Sequence, residues 1–320
     1  MNIRLKIVFE EIEKVGLHMK NITYKPYIAI AIGVVAISFS AILVRYSSAS
    51  SGVMAFYRLF FSSLMLLPIF VRGSIKEVRN FGFWEWVFSA VSGVFLAFHF
   101  ILWFESLRYT SVASSTVLVT MQPLFAFVGA FFLFKERVTG AVLASVILAI
   151  SGSIIIGAGD FTAKGEALYG DVLALLSCAL ITAYFMIGQV LRKKVGLTAY
   201  TFTVYSMSAS VLGVYVWLKG ESFGPYPGLE WGIFLLLAII PTLFGHSLLN
   251  WSLGWVSSTT ISMAILFEPV GASVLAYYLF HEHISLTQAI GSLLILLGLS
   301  FFILMSNRCR KTSKLQGQTN

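Results

Sequence analysis

The chain has 320 residues, of which 58% are hydrophobic and 11% charged, with a net charge of +8 and a mean hydropathy of +0.87. Soluble domains run at about 45–50% apolar and about 25% charged. This composition excludes an ordinary cytosolic enzyme, a secreted disulfide scaffold and a disordered regulator, and leaves a polytopic membrane protein.

Residues 1–26 form a segment of their own. Leu5, Val8, Ile12 and Val15 recur at helical spacing between charges. The run lacks the compact apolar core of a signal peptide, so either it lies on the membrane surface or translation begins at Met19. A spanning helix takes about 20 apolar residues. Hydropathy and breakers predict ten spans, over 27–44, 52–71, 84–104, 111–134, 138–157, 168–190, 199–218, 231–251, 257–280 and 284–305. The loops between them are too short to hold a soluble domain. A basic tail, 306–320, follows.

With the N-terminus in the cytoplasm, 17 of the 22 Lys and Arg residues fall on cytoplasmic segments. Arg45, Arg108, Lys164 and Lys219 fall outside, and Arg58 is the one left within a span. That bias places both termini in the cytoplasm, and it accounts for the positive charge without nucleic acid. Cys178 lies in an apolar run and Cys309 in the basic tail, so no disulfide is expected.

The chain repeats itself at an offset of 146 residues. Gln122-Pro123 matches Glu268-Pro269, and Leu133-Phe134-x-Glu136 matches Leu279-Phe280-x-Glu282. Gly152 matches Gly298, and 14 of 60 positions coincide when 98–157 is laid on 244–303. Five spans per copy is an odd number, so the second copy enters the membrane inverted. Inverted repeats are a transporter architecture, with the binding site near the midplane between the halves. The predicted fold is an all-α membrane protein of ten transmembrane helices in two inverted five-helix repeats, 27–157 and 168–305, joined by a linker at 158–167.

Small residues mark the expected packing faces: Ala126/Ala130 and Ala272/Ala276, and in spans five and ten Ser145/Gly152 and Gly291/Gly298. The last two spans read as scaffold, or as the contact of a homodimer.

Ionisable residues in a span are costly and mark cavities or partners. Glu268 lies mid-span in span nine. Arg58 lies in span two at a depth differing by about 8 Å, as its countercharge or as a carboxylate clamp. Thr242, His246 and Asn250 follow one another at four-residue intervals on span eight, after a Pro241 expected to kink it. His99 and Trp103 are one turn apart on span three. Gln122 is the counterpart of Glu268, and Tyr57 adjoins Arg58 as a candidate cavity wall. His281-Glu282-His283 does not make a tetrahedral metal site by itself. No phosphate loop, His-Glu-x-x-His or Gly-x-Ser-x-Gly motif occurs, so neither a cofactor nor enzyme chemistry is expected.

Phe56-Tyr57-Arg58 with Pro68 ending the span, Glu268-Pro269, and the run from Leu279-Phe280-His281-Glu282-His283 through Gly291 to Gly298 resemble the EamA-type proteins of the drug/metabolite transporter superfamily. The resemblance covers about 27–305 and departs in the first half, where Gln122 precedes the proline and Ser145 stands opposite Gly291. It implies a bacterial inner-membrane carrier, commonly an exporter of amino acids or related metabolites, with a cavity between the halves and proton coupling. The expected function is export of a small polar, amino-acid-like metabolite by alternating access, with Glu268 taking proton and substrate amine in turn. A passive facilitator with the same cavity is the alternative, ahead of a membrane enzyme or a structural subunit.

Overall fold

The structure is a computed structural model that describes residues 24–134, 139–157, 165–280 and 285–316. The N-terminal segment with Met19, the residues Lys135–Arg137, Lys164 and the His281-Glu282-His283 run lie outside these, as do the side chains from Ser306 onward, Cys309 included.

In chain order the helices are α1 (Lys25–Tyr46), α2 (Ser51–Gly73), a short α3 (Ile75–Arg79), α4 (Phe83–Tyr109), α5 (Val112–Thr120), α6 (Gln122–Phe134) and α7 (Gly140–Gly157). Then come α8 (Glu166–Leu191), α9 (Leu197–Leu218), α10 (Gly228–Leu237), a π-helical stretch Ala238–His246, α11 (Ser247–Ser252), α12 (Ser258–Ile265), α13 (Glu268–Phe280) and α14 (Leu286–Gln316). No strand occurs among the described residues. Nine helical stretches among them are long and apolar enough to cross a membrane, and Gly140–Ile156 is apolar but shorter.

Three breaks in helical regularity follow from proline, which has no N–H for the carbonyl four residues back. Pro123 and Pro269 stand at the second position of α6 and α13, where a missing N–H costs nothing. The preceding half-helices α5 and α12 stop short of them. Pro241 leaves the Leu237 carbonyl without its usual donor, and the Thr242 hydroxyl donates to that oxygen at 2.8 Å. The turn widens to π geometry, and the Ser247 N–H reaches back to the Thr242 carbonyl. The expected kink at Pro241 is therefore a wide turn. Pro68 likewise does not end its helix, which continues to Gly73.

The apolar core divides into two clusters. One is built on α1, α2, α4, α8, α9 and the 228–252 helix, with Leu59, Phe100, Tyr184, Tyr205 and Phe234 fully buried. The other joins α5, α7, α12, α13 and α14 against Ala174 and Cys178 of α8. Cys178 is free and buried.

The small-residue faces of α7 and α14 meet each other within the chain. A Cβ on Gly152 would stand 2.5 Å from the Gly291 carbonyl oxygen, and one on Gly298 would stand 2.7 Å from the Ala149 nitrogen. These faces are therefore packed against each other inside one protomer, as expected of scaffold helices. What the pair turns outward is apolar: Ile147 and Leu293 are each 57% exposed. Gly152→Ala should lower the thermal unfolding midpoint of the detergent-solubilised protein by several degrees, since overpacking costs about 1–3 kcal/mol. Ile147→Ala, on the opposite face, should leave the midpoint unchanged.

Candidate functional site

Two chambers lie along the seam where α5 and α13 meet α1 and α4. The larger, about 580 Å³, opens at the end of the bundle that bears Arg45 and Arg108. Its wall carries Ser47, Ser48, Thr110, Thr116, Ser273 and Gln288, and it reaches Pro269, the neighbour of Glu268. The smaller, about 20 Å³, is lined by Ser40, His99, Trp103, Gln122, His246 and Glu268 among apolar neighbours. It has room for about one water molecule, so the seam is closed at this depth.

The fold brings Glu268, Gln122, His99, Trp103 and His246 to the small chamber from four different helical stretches. Gln122 and Glu268 arrive as the first residues of α6 and α13, directly after the two breaks. His99 is held by Ser177 of α8, whose hydroxyl lies 2.7 Å from Nδ1 and donates to the His99 carbonyl at 2.9 Å. The His246 ring stacks on Phe185 at 6.0 Å and meets Phe100 edge-on at 5.5 Å. Trp103 Nε1, Gln122 Oε1 and His246 Nδ1 are buried without a hydrogen-bond partner among the described residues. An amide oxygen, an imidazole nitrogen, an indole N–H and a carboxylate thus stand on the wall of one closed space.

Arg58 has no exposure. Its Nε donates to the Thr242 hydroxyl and its Nη1 to the Ser40 hydroxyl, each at 2.7 Å, and its Cζ lies 4.0 Å from the Phe100 ring centre. Nη2 has no partner among the described residues. No ion pair joins Arg58 to Glu268, which lies within Coulombic reach only. Neutral hydroxyls contact the guanidinium in place of a carboxylate, and the Thr242 hydroxyl also donates to the Leu237 carbonyl. Ser40 touches both the chamber and Arg58. A serine in an apolar span carries no sequence signal, and the sequence analysis does not single it out.

Asn250 and Tyr57 lie elsewhere. Asn250 donates to the Tyr184 hydroxyl, and Tyr205 lies beside it, hydrogen-bonded to Ser247 at 3.1 Å. This cluster adjoins Arg192, which donates to the Asn250 carbonyl. Widening of the turn after Pro241 breaks the expected single stripe. Thr242 serves Arg58, His246 faces the chamber, and Asn250 packs among tyrosines. The Tyr57 hydroxyl donates to the Phe223 carbonyl and its ring stacks on Phe234 at 4.9 Å, away from both chambers. Asp171, three residues inside the expected span 168–190, is a buried carboxylate the sequence analysis passes over. It accepts from Thr110 and Ser114. Among the described residues no group of three or more His, Cys, Asp or Glu could hold a metal ion.

A family model described as the EamA-like transporter family matches residues 24–158 and again residues 168–304. The chain belongs to this family. An uncharacterized transporter of Archaeoglobus fulgidus is 25% identical over 271 residues, covering 84% of this chain and 93% of that protein. A protein of Rickettsia prowazekii named S-adenosylmethionine uptake transporter is 24% identical over 270 residues, covering 82% of this chain and 86% of its own. A crystal structure with 19% sequence identity shares the fold at a TM-score of 0.71, over 88% of this chain and 98% of that one. The protein is a multi-pass membrane transporter and not an enzyme.

Thr242 satisfies two buried groups at once. Thr242→Val should lower stability by about 1–3 kcal/mol by leaving the buried Arg58 Nε unpaired. Thr242→Ser keeps the hydroxyl and should retain most of the wild-type value, as read by thermal unfolding in detergent.

Proposed function

We propose that this member of the EamA-like family is a secondary carrier that exports a small polar, amino-acid-like metabolite across the bacterial inner membrane by alternating access. In this reading ten helices form two inverted five-helix halves, 27–157 and 168–305, with both termini in the cytoplasm. The chamber beside Arg45 and Arg108 is then the outward vestibule. The closed space at Glu268 is the point that cargo must pass between the faces.

The observation that carries the reading is the wall of that closed space. A carboxylate and an amide oxygen can accept from an ammonium group, while the Trp103 indole N–H can donate to a carboxylate. Arg58 stands one hydroxyl away through Ser40. A midplane carboxylate that trades a proton for a substrate amine couples outward movement to proton entry, so Glu268 is the coupling residue and Arg58 tunes it. A carboxylate facing a closed seam can hold its proton and release it when the opposite face opens.

The Rickettsia relative's name supports a second reading of direction. S-adenosylmethionine has an amino-acid end with an ammonium and a carboxylate, and that relative takes it up. The same cavity serves uptake if the gradient of cargo, not of protons, sets the direction.

A metabolite efflux screen of cells overexpressing the protein tests the proposal. At least one amino-acid-like metabolite should rise several-fold outside the cells, returning to vector level with Glu268→Ala and falling with Arg58→Ala. In vesicles, Glu268→Gln should abolish pH-gradient-driven movement of that metabolite. Wild-type gradient-driven rates in Glu268→Gln would overturn the coupling role. Counterflow without any pH gradient dependence in the wild type would establish a passive facilitator instead.

A further inference from the structure

Two buried side chains on α8 hold the half-helices that end at the closed chamber. Asp171 and Gln189 are 18 residues apart, which is five helical turns and about 27 Å. They therefore lie on the same face at opposite ends of α8. Each follows a glycine, Gly170 and Gly188. At Gly170 a Cβ would come within 2.9 Å of the Thr110 nitrogen and the Tyr109 side chain, so α8 packs closely against the end of α4, directly before α5 begins.

At one end, the Thr110 and Ser114 hydroxyls donate to Asp171 Oδ1 at 2.8 and 2.9 Å. Between them Ser111 caps α5, accepting from the Ser114 N–H. At the other end, the Ser258 N–H donates to Gln189 Oε1 at 2.6 Å, beside Ser257, which caps α12 in the same way. Asp171 and Gln189 are 6% and 5% exposed. Ser111 and Ser257 are themselves matched at the 146-residue offset, and each stands 11 residues before its chamber residue, Gln122 or Glu268. The orphan N–H groups of a helix start need a partner when they are buried. Here the partner for a backbone N–H of α12 comes from another helix, whose far end holds the start of α5 through two side-chain hydroxyls instead.

We propose that Asp171 and Gln189 are positioning residues for transport: from two ends of one face of α8 they fix the starts of α5 and α12, and so the depth at which Gln122 and Glu268 enter the chamber. The inference rests on the reading of that chamber as the transport site. Helix α8 is then a strut shared by both half-helices. A half-helix released from its anchor slides or frays, and the residue 11 positions on loses its register with His99, Trp103 and His246.

Hydrogen exchange of the full chain in lipid nanodiscs, followed by mass spectrometry, tests this without substrate and without altering Glu268, so its outcome is independent of the coupling role. Asp171→Ala should speed exchange of the α5 amides at least tenfold and leave α12 within twofold, and Gln189→Leu should do the reverse. Asp171→Asn keeps an acceptor oxygen and should restore α5 protection, and Ser114→Ala, a milder cut, should give an intermediate increase if Asp171→Ala does not fold. A second readout reports position. With Cys178 and Cys309 replaced by serine, labelling of Ser273→Cys on α13 by a membrane-impermeant maleimide should change at least threefold with Gln189→Leu and not with Asp171→Ala. Uniform acceleration along all helices, unchanged exchange in the targeted half-helix, or unchanged Ser273→Cys labelling in Gln189→Leu would overturn the proposal.

Discussion

In a hydrocarbon layer every backbone N–H and C=O must find its partner inside the protein, and this constraint shapes the molecule more than any side-chain interaction does. A regular helix meets it alone. Where proline interrupts the ladder a carbonyl loses its donor, and three of these interruptions, at Pro123, Pro241 and Pro269, gather around the small chamber. The Thr242 hydroxyl serves the Leu237 carbonyl after Pro241. Ser111 and Ser257 cap the half-helices, and Gln189 takes a further N–H. The same constraint explains why Pro123 and Pro269 open new helices instead of kinking old ones. Irregular backbone is expensive in a membrane, and it is concentrated where the chambers are.

A second consequence concerns charge. A buried guanidinium is tolerated only with hydrogen-bond partners and a polarisable environment. Arg58 has two neutral hydroxyls and the face of Phe100, and no carboxylate contact. Under the proposed function, the lack of an ion pair leaves Glu268 free to trade proton for cargo while the positive charge of Arg58 stays nearby.

Much of the fold was legible because apolar run length and proline position act locally. Nine of the ten expected spans fall on helical stretches long and apolar enough to cross a membrane, and 138–157 falls on the shorter Gly140–Ile156; the repeat offset singles out Gln122-Pro123 and Glu268-Pro269. Five of the nine candidate site residues, Glu268, Gln122, His99, Trp103 and His246, line one chamber. The other candidates lie apart for different reasons. The Thr242-His246-Asn250 stripe assumes 3.6 residues per turn throughout, whereas the π-helical stretch Ala238–His246 runs through its first two members. Tyr57 was placed by adjacency to Arg58, yet successive helical residues point about 100° apart. Ser40 and Ser177 give no composition signal in an apolar run, and Asp171 was passed over although its charge within a span marked it. The small faces of α7 and α14 were read correctly as packing surfaces, but sequence cannot say whether their partner is another helix of the chain or another chain.

If the carrier works by alternating access, as proposed, the closed space at Gln122 and Glu268 is reached in turn from the two sides of the membrane. With Cys178 and Cys309 replaced by serine, Gln122→Cys places a single thiol on its wall. Membrane-impermeant maleimide applied to right-side-out and to inside-out vesicles measures its access directly. The account predicts labelling from both faces, with conditions that favour one face suppressing the other. Labelling from one face only, or from neither, would contradict it.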